Sequence, residues 1–168
     1  MKILSIDIGL TGGIVTSDNG IITDMVPMPT ITVKKGSNKV DTVSLIRHLK
    51  QTSLDANIDI ILFEDLHSLY TAGKAQTWSL AYQCGIMETI AIFSGIKYMA
   101  IQAKKWQEEV CKDIPPLRKK DGKIDTKTRA YLAYKKLYPM GDIPKSKDGI
   151  IDAILINHYA MDYLYKGL

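Results

Sequence analysis

Two short apolar runs that each stop at a carboxylate constrain this chain more than any other feature. Ile3-Leu4-Ser5-Ile6 leads into Asp7, and Ile58-Asp59-Ile60-Ile61-Leu62-Phe63 leads into Glu64. Short runs rich in β-branched residues predict strands, and the second is apolar enough for a sheet covered on both faces. Near the C-terminus, Asp148 and Asp152 stand four apart in Lys147-Asp148-Gly149-Ile150-Ile151-Asp152-Ala153-Ile154. Acids at the ends of oily strands are costly unless something positive sits between them. A divalent metal ion is the obvious candidate.

The rest of the chain places these acids. Glycines in Gly9-Leu10-Thr11-Gly12-Gly13 permit a tight turn after the first strand. Ile14 to Ser17 and Ile21 to Val26 read as strands joined by the hairpin signal Asp18-Asn19-Gly20, so the chain opens as an antiparallel meander. Pro27 to Lys39, with two prolines, a glycine and three lysines, predicts an exposed loop. Val40 to Leu54 suits a helix with Val43, Ile46, Leu49 and Leu54 on its apolar side. After the strand ending at Glu64 comes a polar, aromatic-dotted loop from Asp65 to Gly73.

A long helix is predicted from Lys74 to Phe93, with Gly95 as its stop. Its small residues Ala75, Ser79, Ala81 and Gly85 would let another helix approach closely. Lys97 to Ile101 reads as a fifth strand and Ala103 to Val110 as a short helix around Trp106. Lys112 to Lys123 predicts a mobile segment, followed by helices over Thr126 to Leu137 and Asp148 to Tyr165. Ile151, Ile154, Leu155 and His158 form the core-facing stripe of the last helix. The expected fold class is α/β: a five-stranded mixed sheet, a three-strand antiparallel meander plus parallel strands, flanked by helices. In that arrangement Asp7 and Glu64 end neighbouring strands, and the last helix presents Asp148 and Asp152 one turn apart on one face.

A chain of 168 residues suits a single domain, 1–168, with a sizeable core. No apolar stretch approaches a bilayer span, and the N-terminus lacks the h-region of a secretory signal, so no membrane partner and a cytoplasmic location are expected. Cys84 and Cys111 are too few and too far apart for a zinc motif or a disulfide framework. His48, His67 and His158 show no ligand spacing. From Lys112 to Lys136 there are nine Lys/Arg against three Asp, a local balance of +6; the whole chain carries +4, so the remainder carries −2. A basic segment on a slightly acidic body is the footprint of a polyanion binder, although a solvated loop has the same composition.

An acid-only cluster disfavours tetrahedral zinc and suits magnesium, which takes carboxylates, water and phosphate oxygens. Four convergent acids could hold two such ions, one to activate a water and one to stabilise the leaving 3′-oxygen of a phosphodiester. Other uses stay open at this point. Asp7 could serve the glycine turn, Asp148 could cap the last helix, and Asp65 could replace Glu64. Strand alternation favours Glu64 over its neighbour.

Several segments together carry a family likeness: Ile6-Asp7-Ile8-Gly9, Phe63-Glu64, the Gly85 helix, Gln102 to Trp106, Leu137-Tyr138-Pro139 and Asp148-Gly149-Ile150-Ile151-Asp152-Ala153. Across nearly its whole length the chain resembles the RuvC-like Holliday-junction resolvases of the RNase H-like superfamily, particularly small phage-type members. The resemblance implies an RNase H-like sheet and a homodimer acting on branched DNA. It implies an endodeoxyribonuclease that makes paired nicks in four-way junctions with two Mg2+ ions per site, Mn2+ substituting. Asp7, Glu64, Asp148 and Asp152 are then the catalytic metal ligands. Candidate DNA contacts are His67, Tyr70, Lys74, Lys104, Lys105, Arg118, Lys119, Lys120, Lys123, Lys127, Arg129 and Lys147. Many such relatives carry a histidine where this chain has Lys147, and some space the last two acids three apart rather than four.

Two other readings compete. The Asp7-Ile8-Gly9-Leu10-Thr11-Gly12 segment also looks like the phosphate loop of actin-like ATP-binding phosphotransferases, but those need two such domains and a second loop. A non-catalytic DNA-binding module on a degenerate nuclease fold is the other, because fold does not fix function.

Overall fold

A computed structural model describes residues 1–33, 37–55, 57–65 and 73–165. The chain opens with the meander expected from its turns: β1 (Lys2–Asp7), β2 (Gly13–Asp18) and β3 (Ile21–Pro27) pair antiparallel in sequence. Asn19 and Gly20 both take positive φ, 48° and 82°, the conformation a tight hairpin turn demands.

The segment expected to be an exposed loop is more ordered than that. Thr30–Thr32 (β4) and Asn38–Val40 (β5) pair antiparallel as a separate two-stranded ribbon. Three-residue strands that are exposed except at Val40 carry no alternation for the sequence to display. Asp41 then caps helix α1 (Thr42–Asp55) by accepting from the Ser44 amide and hydroxyl at 3.2 and 2.6 Å. The predicted apolar face of α1 needs correction. Leu45 and Leu49, one turn apart, are buried, whereas Val43 is 65% and Ile46 40% exposed. The sheet receives the narrow Leu45–Leu49 stripe, and Val43 and Ile46 fall outside it; Leu54 lies outside the described side chains.

Strand β6 (Ile60–Asp65) lies parallel to β1, and helix α2 (Lys74–Phe93) leads to β7 (Lys97–Gln102), parallel to β6. Gly95, at φ 66°, turns the chain out of α2 as expected. The sheet order is β3-β2-β1-β6-β7, a mixed five-stranded sheet. Helices α3 (Ala103–Val110), α4 (Thr126–Leu137) and α5 (Asp148–Tyr159) follow, and α5 runs on into a π-helical turn over Ala160–Leu164. Between α3 and α4 the predicted mobile segment holds a closed turn, in which the Lys119 amide donates to the Lys123 carbonyl and Arg118 bridges to Ile124.

Strand alternation divides the core in two. Ile3, Val15, Ile60 and Leu62 pack with α3, α4 and α5, and Leu4, Ile6, Ile14, Ile61 and Phe63 pack with α1 and α2. Helix α5 is buried nearly all round, and polar contacts tie it to the meander. Ser5 Oγ donates to the Ala153 carbonyl at 2.8 Å, Ser17 Oγ to Asn157 Oδ1 at 2.7 Å, and Asn157 Nδ2 to Ser5 Oγ at 3.1 Å. Satisfied polar groups in an apolar interior leave a helix little freedom to slide or rotate. His158 is only partly buried, edge-on to the Tyr138 ring and 3.5 Å from Asp162. Among the described residues no helix is long and apolar enough to cross a membrane.

Candidate active site

The parallel pairing of β1 with β6 ends at Ile6 and Phe63, and Asp7 and Glu64 follow one step later on neighbouring strands, each still paired on its other side, Asp7 with Gly13 and Glu64 with Ile101. Asp7 continues the face that carries Ile3 and Ser5, and Glu64 the face that carries Ile60 and Leu62; both faces meet α5. Asp65 occupies the alternate position, which separates it from Glu64 as alternation predicts.

Glycines bring α5 to these strand ends. Gly12 and Gly149 form an isolated parallel bridge, the glycine loop crossing the first turn of α5 backbone to backbone. A Cβ on Gly149 would collide with the Thr11 carbonyl oxygen and lie 2.5 Å from Gly12 Cα, and one on Gly13 would lie 2.7 Å from Ile150 Cα. The glycine loop thus does more than turn the chain: it lets Asp148 and Asp152 reach Asp7. Asp148 is the first residue of α5, after Lys147 at the N-cap, so capping does not account for it.

All four acids are partly buried, and two of them, Asp7 and Asp152, are raised by the others. Burial, then Glu64, Asp152 and Asp148, push the Asp7 carboxyl well above the usual carboxylate range. Burial, then Glu64 and Asp148, push Asp152 up to about 7. Glu64 is also raised by burial, against a hydrogen bond from Trp106 that favours its charged form. Lys127, projecting from α4, is ion-paired with Asp148 and lowers both Asp7 and Asp152. Its ammonium is held above its ordinary range, chiefly by that bond to Asp148. The four acids and Lys127 therefore form one electrostatic unit.

The donor set fits a hard divalent cation in its chemistry: all oxygen, partly buried and short of positive charge. Among the described residues, no three His, Cys, Asp or Glu side chains are gathered closely enough to hold a metal ion as they stand. The acids share an electrostatic neighbourhood rather than a preformed coordination shell.

The other candidates separate. Lys74, Lys104, Lys105, Lys119, Lys120, Lys123 and Lys147 are exposed, Lys104 lying 3.7 Å from Glu108 and Lys123 4.0 Å from Asp121. Arg118 donates to the Gly122 carbonyl at 2.7 Å within its turn. The guanidinium of Arg129 donates to the carbonyls of Ile114 and Cys111, at 3.0 and 2.7 Å, and anchors the chain after α3. His67 and Tyr70 lie outside the described residues. Trp106, which the sequence marks only as the centre of a short helix, donates its indole N–H to Glu64 Oε1 at 2.9 Å. Spacing along the chain holds no signal for that pair.

No family model matches the sequence, and no curated protein matches it. The likeness lies in three dimensions. Thermus thermophilus RuvC superposes with a TM-score of 0.56 at 12% identity, covering 95% of both chains. The same protein in complex with a Holliday junction substrate gives 0.56 at 7% identity, over 95% of this chain and 94% of that one. The fold is that of RuvC. Fowlpox virus resolvase, solved with its substrate Holliday junction DNA, superposes with a TM-score of 0.53 at 12% identity, over 99% of this chain and 100% of that one. The RuvC-like fold accounts for the sheet order and for its flanking helices. At such identities it speaks for architecture alone.

Proposed function

We propose that the chain is a metal-dependent, structure-selective endodeoxyribonuclease that resolves four-way DNA junctions by paired nicking. The observation that carries this reading is the glycine crossing that puts Asp148 and Asp152 within electrostatic reach of Asp7 and Glu64. Four acids against one lysine at the end of a parallel strand pair are unfavourable without a cation. The RuvC-like fold, and neighbours solved with Holliday junctions, support DNA of that shape as substrate.

Asp7, Glu64, Asp148 and Asp152 would hold the ions, with Mg2+ suited to their oxygen-only donors and Mn2+ able to replace it. When bound, such ions activate a water and steady the departing 3′-oxygen. The chain's own residues do the rest. Lys127 neutralises part of the cluster beside Asp148. The exposed lysines of the 119–123 turn face solvent, where backbone phosphates can be neutralised without base reading.

Paired nicking asks for two sites, and α2 offers a surface for a second copy. Trp78, Tyr82, Gly85, Thr89 and Ile92 recur at spacings of four and three and are all exposed. That is the seam of a helix packed against another helix. A homodimer closed on α2 would set two sites on opposed strands.

The test is a labelled four-way junction, with fork and flap controls, incubated with Mg2+ and then Mn2+. Paired nicks are expected, and Asp7→Asn should retain junction binding in a gel-shift assay while losing cleavage. Unchanged nicking by Asp7→Asn sinks the site assignment. A non-catalytic DNA-binding module is favoured by one observation, that the acids are not yet gathered as ligands. Binding without cleavage under either ion would decide for it.

A further inference from the structure

The buried indole beside the acid cluster has a consequence for how Glu64 works. Trp106 is fully buried and is the largest such side chain in the protein. It packs within the cluster formed by Ile60, Leu62, Ile101 and Ala153, contributed by β6, β7 and α5. A buried indole has a single N–H donor that needs an acceptor. Here the acceptor is Glu64 Oε1, at 2.9 Å.

The chain brings the two together over a short rigid path. Strand β7 pairs with β6 through Glu64 with Ile101 and Asp65 with Gln102, and α3 starts at Ala103. Trp106 therefore sits one helical turn beyond the strand that borders Glu64. A glutamate side chain has several rotatable bonds and considerable entropy to lose on being fixed. A tryptophan locked by packing fixes one carboxylate oxygen and leaves the other outside that bond.

We propose that Trp106 is the positioning residue of Glu64: its indole N–H ties down Oε1, so that Glu64 offers the divalent cation one oxygen, Oε2, in a set orientation. This rests on the metal-dependent reading above. It assigns Trp106 a role in metal affinity that packing alone does not require. Groups that hydrogen-bond a ligating side chain characteristically change metal affinity by ten- to a hundredfold when removed.

Trp106→Phe removes ring volume together with the N–H, so the decisive variant replaces Trp106 by 3-benzothienylalanine, which keeps the shape and puts sulfur in place of N–H. Its melting temperature reports the fold, and calorimetry on the DNA-free protein reports Mg2+ affinity. The expected result is a melting temperature close to that of the unsubstituted chain and Mg2+ affinity lower by about tenfold. In the unsubstituted protein, the Trp106 indole N–H resonance is expected to move as Mg2+ is added. A folded variant with unchanged Mg2+ affinity overturns the positioning role and leaves the metal reading standing. An unsubstituted chain that takes up no Mg2+ in calorimetry overturns the metal reading, and the role of Trp106 with it.

Discussion

Helices α5 and α2 cover opposite faces of one sheet and treat their surroundings in opposite ways. In α5, nine of twelve residues are buried, and Asn157 is tied into Ser17 and Ser5 beneath it. In α2, twenty residues long, the fully buried side chains described are Gln83, Met87 and Ala91, while Trp78, Tyr82, Ile92 and Phe93 lie open to solvent. The difference follows from what each carries. Two acids must be brought to fixed places beside two strand ends, so α5 is held by polar contacts and by direct backbone crossing. The outer face of α2 positions none of these acids and presents Trp78, Tyr82 and Ile92 to solvent, with Glu88 among them.

A glycine in each helix turns this contrast into an experiment. At Gly149 a Cβ meets backbone of the glycine loop, which has no flexible end to give way. Gly149→Ala is expected to destabilise the chain by about 3 kcal/mol, at the upper end of overpacking costs. Urea unfolding would read it as a lower midpoint at unchanged slope. A loss under about 1 kcal/mol would mean that the crossing relaxes easily, and α5 would then be no more tightly placed than α2.

An effect of comparable size concerns the charges that α5 carries. Asp152 titrates near 7 in the folded, metal-free chain, against an ordinary value of 3.8. Between those values the folded state binds more protons than the unfolded one, so stability falls as pH rises through the window from about 4 to about 7. Asp152→Asn removes that share of the penalty. Without metal at pH 8 it should be more stable than the unsubstituted chain by on the order of 2–4 kcal/mol, the advantage fading toward pH 4. Thermal melts in chelator across that range would show it. Equal melting temperatures at pH 8 would mean that Asp152 is not under the strain its burial implies.

These two helices also show what a sequence can and cannot disclose. The acids were legible because charge at the end of an apolar run conflicts with its surroundings. The bounds of α2 and α4 were legible because apolar periodicity and stop residues are local. The face of α1 was not: Val43, Leu45, Ile46 and Leu49 are all apolar, and only the sheet decides that Leu45 and Leu49 go in. Trp106 with Glu64, Lys127 with Asp148 and Gly12 with Gly149 are likewise tertiary pairs. In each case both residues stand out in the sequence, but their pairing is chosen by strand order and helix docking. The glycine loop is the instructive case, since the turn was readable and the crossing, which brings the site together, was not.

The smallest expected effect on the fold comes from the glycine on the other helix. Nothing lies within 4 Å of a Cβ built at Gly85, so Gly85→Ala meets no obstacle in the isolated chain. Alanine is the better helix former by about 1 kcal/mol, and the variant should be more stable by roughly that amount. The same methyl group enters the seam between Tyr82 and Thr89, where a second copy of α2 would need to approach closely. Sedimentation should therefore show weaker self-association in a chain that melts higher. Stability and association moving in opposite directions is the signature of an open face reserved for a partner. If the chain melts higher with self-association unchanged, or if neither chain self-associates with DNA present, α2 is an ordinary solvent-facing helix and the paired sites must be brought together by another surface.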